Sequence, residues 1–271
     1  MNKENGEMSI DDIVMIARLA ASYGVKTIKL TGGEPLLRND IVEIVKSLRD
    51  IEAFSEISMV TNGQLLKKYA LKLKSAGLKR VNVSLPTLNE KNYKEITGES
   101  LKPVLDGISE ASKAGLDPIK INMVLLKGIN EHEIDFMISY SAKSSTVLQI
   151  IELEPVGISS KLYSKYHEPI NVLEERLASM SKAVYFRDDM HKRKIFELDS
   201  VKVEVVHPIE NTEFCSHCNR LRVTYDGSFK PCLMRSNNQI DAKKYLDSKD
   251  YDGLRYTFLQ AVMIRKPFCT A

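Results

Sequence analysis

Three of the four cysteines fall in one stretch, Cys215, Cys218 and Cys232, spaced C-x₂-C-x₁₃-C. A C-x₂-C turn presents both thiols on one side of a tight loop. The following "LRVTYDGSFKPCL" fits a hairpin with Asp226-Gly227 at its turn, which carries Cys232 back beside the first pair. Three chemistries suit such a set. One is a structural zinc with a fourth ligand elsewhere, His217 or His207. Another is three thiols with no metal. The third is an iron–sulfur cluster with one open iron, able to bind a substrate as a Lewis acid. Cys269 stands apart near the end and reads as a lone thiol.

Arg220 and Arg222 follow the cysteine pair. At i and i+2 on a strand they share a face, and two guanidinium forks side by side suit a phosphate chain. A solvated surface pair is the plain alternative. In "KLTGGEPLLR" (29–38), Gly32-Gly33 lets backbone approach a ligand, and Glu34 is placed to accept from an ammonium or hydroxyl. The stretch is not a phosphate loop: it matches neither G-x-x-x-x-G-K nor G-x-G-x-x-G. "VTNG" (60–63) and "NVSL" (82–85) end two further apolar runs with small polar groups. Lys120 and Asn122 alternate with isoleucines on another, and Glu152 and Glu154 with Ile151 and Leu153 on a fifth. Polar groups at several strand ends predict a lined cavity. His132, His167 and His191 read as surface loop residues.

The elements that must carry these residues are legible as alternating β-branched runs and amphipathic stretches. Ser9 and Asp12 predict a capping box ahead of a helix whose apolar face is Ile10, Ile13, Val14 and Ala17. Five strands follow, "VKTIKLT", "EISMVT", "KRVNVSL", "DPIKINMVLL" and "TVLQIIELE", with helical stretches near 39–50, 64–76, 101–115 and 130–143. Repeating βα units give an α/β fold with a parallel sheet, open or barrel-shaped; five strands do not close an eight-stranded barrel. Past residue 155 the pattern loosens into "KIFELD", "VKVEVVH" and the cysteine segment.

With 271 residues the chain has ample material for a core, and 43% apolar with 28% charged residues is the balance of a globular protein. No run approaches a membrane span, and the polar start is no signal peptide, so the expected place is the cytoplasm and the thiols are expected reduced. A net charge of +3 is too mild to argue for nucleic acid.

Together, TGGEP, TNG, NVS, K-x-N and C-x₂-C-N-R-L-R with a third cysteine after x₁₃ resemble the MoaA family, the GTP 3′,8-cyclases of molybdenum cofactor biosynthesis. The resemblance runs from about Ser9 to Leu233, and its cysteine–arginine segment is the most specific part. It implies a radical S-adenosylmethionine (SAM) enzyme built as an incomplete (β/α)₆ barrel, here 1–206, with a C-terminal cluster and GTP region, 207–271. In that family a deoxyadenosyl radical made from SAM takes the 3′ hydrogen of GTP, and the sugar radical attacks carbon 8 of guanine. By the same resemblance Cys215, Cys218 and Cys232 hold a 4Fe–4S cluster whose open iron binds the guanine. Lys29, Lys120, Arg220, Leu221 and Arg222 match GTP positions, and Gly33, Ser84 and, weakly, Glu154 match SAM positions. Lys29 stands where many members have arginine, Val60 where a GTP-contacting threonine is usual, and Glu154 where methionine is frequent. GTP, SAM, an external electron donor and the next enzyme of the pathway are the implied partners, with a homodimer also open; neither nucleic acid nor membrane is.

Family members begin with a strand and a C-x₃-C-x₂-C loop holding the SAM-cleaving 4Fe–4S cluster, whereas no cysteine precedes Cys215 here. The expectation is therefore a chain short of that first strand and cluster, with Met1 an internal methionine or the chain a fragment. It would not cleave SAM alone, and its sheet would expose an edge. The tail "RKPFCTA" also lacks the family's terminal Gly-Gly. Two readings compete with the cyclase: a non-catalytic GTP-binding relative, and another radical SAM enzyme such as a peptide maturase.

Overall fold

Ser9 and Asp12 cap the first helix reciprocally, the Asp12 amide donating to Ser9 Oγ at 3.2 Å and the Ser9 amide to Asp12 Oδ2 at 3.0 Å. That helix is α1 (Ile10–Ser22), and the computed structural model describes residues 6–187, 192–207, 215–235 and 237–266. The predicted βα units follow in chain order: β1 (Thr27–Leu30), α2 (Ile41–Arg49), β2 (Glu56–Thr61), α3 (Leu66–Ala76), β3 (Arg80–Ser84), α4 (Glu90–Thr97), α5 (Lys102–Lys113), β4 (Ile119–Leu125), α6 (Ile134–Lys143) and β5 (Val147–Glu152). Beyond them lie α7 (Ser160–Tyr166), α8 (Asn171–Met180), β6 (Ala183–Phe186), β7 (Lys194–Glu197) and β8 (Lys202–Val206).

The five-strand count falls short. One eight-stranded sheet runs in the order β1-β2-β3-β4-β5-β8-β7-β6. Pairing is parallel from β1 to β5 and on to β8, then antiparallel to β7 and β6. β6 escaped notice because it is a four-residue edge strand with Val184 and Phe186 exposed, so no buried face imposes alternation on it.

Elsewhere the alternation decides everything. Met59, Val81, Val83, Ile121, Met123, Leu148, Ile150, Val203 and Val205 point to one face and form the main core with the helices. Ser58, Arg80, Asn82, Lys120, Asn122, Gln149 and Glu204 point to the other. α5 crosses close to the turn after β2, where a Cβ on Gly107 would lie 2.8 Å from the Gly63 carbonyl oxygen. Gly63 itself has φ +81°, a conformation other residues adopt only under strain.

A second apolar cluster joins α1 to the C-terminal region, through Ile16, Leu19, Phe229, Leu246, Leu254 and Phe258. It holds the hairpin β9 (Arg222–Val223) and β10 (Phe229–Lys230) and the helices α9 (Lys243–Asp247) and α10 (Tyr251–Met263) against the open side of the sheet. No helix among the described residues is long and apolar enough to cross a membrane.

Candidate functional site

The polar face of the sheet, α1 and the β9–β10 hairpin enclose a cavity of about 3320 Å³. Single-ligand pockets usually hold roughly 300–1,000 Å³, so there is room for more than one bound group. Lys29, Gly33, Lys120, Glu154, Arg220, Leu221 and Arg222 all line it, bringing together from distant segments most of the residues singled out in the sequence. Ser84 ends β3 in register with Asn122 but stands outside the cavity wall.

The wall is strongly cationic. Arg80, Arg187 and Arg193, which the motifs did not flag, join the lysines and the arginine pair. Arg80 Nε donates to Glu56 Oε1 at 2.7 Å, with Nη2 in ion-pair contact at the same distance. Glu204, on β8, is 1% exposed and accepts from Lys120 Nζ and, at 3.0 Å, from Arg193 Nη1, with Arg187 Nη1 at 3.6 Å. Although burial alone would raise the Glu204 pKa, Lys120, Arg193 and Arg187 hold it down at about 2. Burial, with Arg80, Arg220, Arg193 and Lys120 nearby, pulls the Lys29 ammonium down to about 7. Burial, with Arg193 and Arg222 beside it, brings Arg220 to about 10; burial, with Arg187 and Arg80, lowers Lys120 against the pull of Glu204, and burial raises Glu154 against the pull of Arg222, Arg220 and Arg193. A polar ladder completes the floor: Asn82 Nδ2 donates to Asn122 Oδ1 at 3.2 Å and to Gln149 Oε1 at 3.3 Å.

Several motif residues turn out to hold the frame. Glu34 accepts from the amides of Leu36 (3.0 Å) and Asn62 (2.7 Å) and from Thr61 Oγ1 (2.7 Å), so it latches the Gly-Gly loop to the end of β2. Thr61, Asn62 and Gly63 serve that turn and do not line the cavity. Glu152 is buried and bonds His167 Nε2 at 3.0 Å, with His207 Nε2 at 3.5 Å. His167, expected as a surface loop residue, is half-buried against this carboxylate at the end of α7. His132 is exposed, as expected, and His191 lies outside the described residues.

The predicted hairpin is present. Arg222 pairs with Lys230 and Val223 with Phe229, and Gly227 takes φ +92° in the turn. The Cys218 amide donates to the Cys215 carbonyl at 3.1 Å, the tight turn expected of C-x₂-C. All three thiols are half-buried and free of disulfides, a donor set that suits an iron–sulfur cluster. Among the described residues, however, no three His, Cys, Asp or Glu side chains converge as a metal-ligand set. No cysteine precedes Cys215 in the sequence. Cys269 lies outside the described residues. A Cβ built on Gly33 meets nothing within 4 Å, so the Gly-Gly backbone faces open cavity where a ligand can approach.

A parallel sheet with a polar, cation-rich concave face and a Gly-Gly loop after its first strand defines the class. Residues 1–140 match the Radical SAM superfamily, to which the chain belongs, and residues 146–270 match the Molybdenum Cofactor Synthesis C family. Within that superfamily it groups with proteins named probable GTP 3′,8-cyclase. It is 46% identical to that of Methanothermobacter marburgensis over 98% of this chain and 88% of the relative. The protein of Methanothermobacter thermautotrophicus is 44% identical over 100% and 89%, that of Methanococcus vannielii 42% over 99% and 89%. Among solved structures, Streptococcus suis SuiB superimposes with a TM-score of 0.66 at 16% identity, covering 94% of this chain and 60% of that one. SuiB bound to S-adenosylmethionine gives 0.59 at 17% identity, over 92% and 60%. That likeness is one of fold.

Proposed function

We propose that this chain binds GTP in the cationic cavity and serves its conversion to 3′,8-cyclo-7,8-dihydro-GTP in molybdenum cofactor biosynthesis. The observation that carries this reading is the convergence of Lys29, Lys120, Arg220 and Arg222 on one cavity beside the cysteine hairpin. The lysines and the two guanidinium forks receive the triphosphate, and Arg222, fixed on β9, sets its distance from the cysteine turn. Leu221 supplies an apolar contact beside the base. Gly33 lets the methionyl part of SAM approach backbone, with Ser84 and Glu154 at the periphery of that subsite. Cys215, Cys218 and Cys232 would hold a 4Fe–4S cluster, which when bound offers a Lewis-acidic seat for the substrate. The working division is a sheet domain through residue 206 and a cluster and nucleotide region from 207. An external electron donor, a downstream enzyme, a possible homodimer and a cytoplasmic setting complete the proposal.

The test is calorimetric titration of the anaerobically reconstituted chain with GTP and with ATP, alongside electron paramagnetic resonance of the reduced sample. Binding of GTP in clear preference to ATP, with a spectrum that shifts on addition of GTP, is the expected result. One zinc per chain, no iron and no nucleotide binding would refute it.

A further inference from the structure

Glu204 is the most buried acid of the cavity and belongs to no motif found in the sequence. It sits at the middle of β8, flanked by Val203 and Val205 on the core side and in register with Gln149 of β5. A carboxylate this deep needs close partners. It has three, drawn from separate segments: Lys120 on β4, Arg187 at the end of β6, and Arg193 just before β7. All three line the cavity that also holds Arg220 and Arg222.

We propose that Glu204 is the positioning residue of this anion site, one buried carboxylate that holds Lys120 and Arg193 together on the cavity floor, facing the phosphates of the ligand. Resting on the GTP reading for its natural ligand, the inference concerns the polyphosphate subsite alone. The physics is a counter-ion effect. Lys120 is 6% exposed and Arg193 8%, and like charges at such burial repel unless an opposite charge lies between them. Lys120 also faces Arg80 from β3 and Arg187, and Lys29 from β1 lies within its field; β5 offers only the neutral Gln149. Glu204 raises the proton affinity of Lys120 against these. Without it the amine loses its proton more readily, and an anion bound against Lys120 must first restore that proton.

The experiment measures binding of inorganic tripolyphosphate, and separately of GTP, by the full chain from pH 6 to pH 9, for wild type and Glu204→Gln. The expected result for Glu204→Gln is a tripolyphosphate affinity roughly tenfold below wild type at the acid end, where the two cations are charged but no longer held together. From there the ratio of wild type to variant widens with pH, by up to tenfold per pH unit for one linked proton. Adding Lys120→Arg to the variant, which fixes the charge, should flatten that ratio again. An equal loss at every pH, or no loss at all, would mean that Glu204 only supports the fold and would overturn the proposal. Should Glu204→Gln not fold, Glu204→Asp decides: charge kept and reach shortened, it must weaken tripolyphosphate binding roughly tenfold without changing the pH slope. Wild-type affinity there would overturn the positioning role. A chain that passes the tripolyphosphate test but refuses GTP would refute the nucleotide reading and leave Glu204 as proposed; one that binds neither would overturn both.

Discussion

Lys29 offers the sharpest prediction, since its protonation and the binding of a polyanion must be linked. In the free protein its ammonium is pulled down to about 7, by burial first and then by Arg80, Arg220, Arg193 and Lys120. A bound triphosphate replaces that repulsion with attraction and restores the lysine to its ordinary alkaline range. The complex therefore holds more protons than the free chain above pH 7, and affinity must fall as pH rises through that value. Below it Lys29 is already charged and adds no further pH dependence. At pH 8 roughly nine-tenths of free chains carry a neutral Lys29, so binding should take up about 0.9 proton from this group. The cost of protonating it there is about 1.4 kcal/mol, roughly a tenfold loss in affinity relative to acid pH. Titration calorimetry in two buffers of different ionisation enthalpy reads the proton directly. The ligand's terminal phosphate, with a second pKa of about 6, is already ionised at pH 8 and supplies none of it. Lys29→Arg keeps the charge and cannot titrate here, so its proton uptake should vanish and its pH slope flatten. Equal proton uptake by wild type and Lys29→Arg would refute the reasoning.

The other predictions concern the frame and the subsites around that lysine. Gly107→Ala forces a Cβ to 2.8 Å from the Gly63 carbonyl and should destabilise by about 1–3 kcal/mol in urea denaturation. Gly33→Ala meets no atom within 4 Å, so its denaturation midpoint should match wild type while equilibrium dialysis shows SAM binding weakened by the filled cradle. Glu34→Ala removes the acceptor for two amides and the Thr61 hydroxyl and should cost about 1–3 kcal/mol, read by thermal unfolding. Serine at Cys215, Cys218 or Cys232 should each abolish the iron and sulfide found after anaerobic reconstitution, with the hairpin itself intact by circular dichroism.

The parts legible in the sequence are those in which one strand carries its own message. In β3 and β4, Arg80, Asn82, Lys120 and Asn122 alternate with valine and isoleucine, which states at once that one face is buried in hydrocarbon and the other in something polar. By the same rule Glu204, alone between valines in β8, was readable as a cavity residue. Helix α4 was not, because Tyr93 is its one buried side chain and a single contact makes no period. Nor could spacing reveal that Arg80 finds Glu56 and Lys120 finds Glu204, pairings fixed by the lateral order of strands. The latch made by Glu34 is likewise invisible until β2 is placed beside the Gly-Gly loop.

That lateral order also explains how residue 29 can be a lysine rather than an arginine. A buried cation must be paired or lose its proton, since an isolated charge out of water costs several kcal/mol. Arg80 is paired by Glu56, and Lys120, Arg187 and Arg193 share Glu204. The Lys29 ammonium makes no hydrogen bond or ion pair among the described residues, and its strand neighbour in β2 is Ser58, not an acid. An arginine there would stay charged and add to the repulsion from Arg80, Arg193 and Arg220 for as long as the cavity held no anion. A lysine meets the same surroundings by giving up its proton and regains it when phosphate arrives. The bidentate fork is lost, but the site without an anion is relieved of one half-buried charge, which is the trade the pH series on Lys29→Arg would expose.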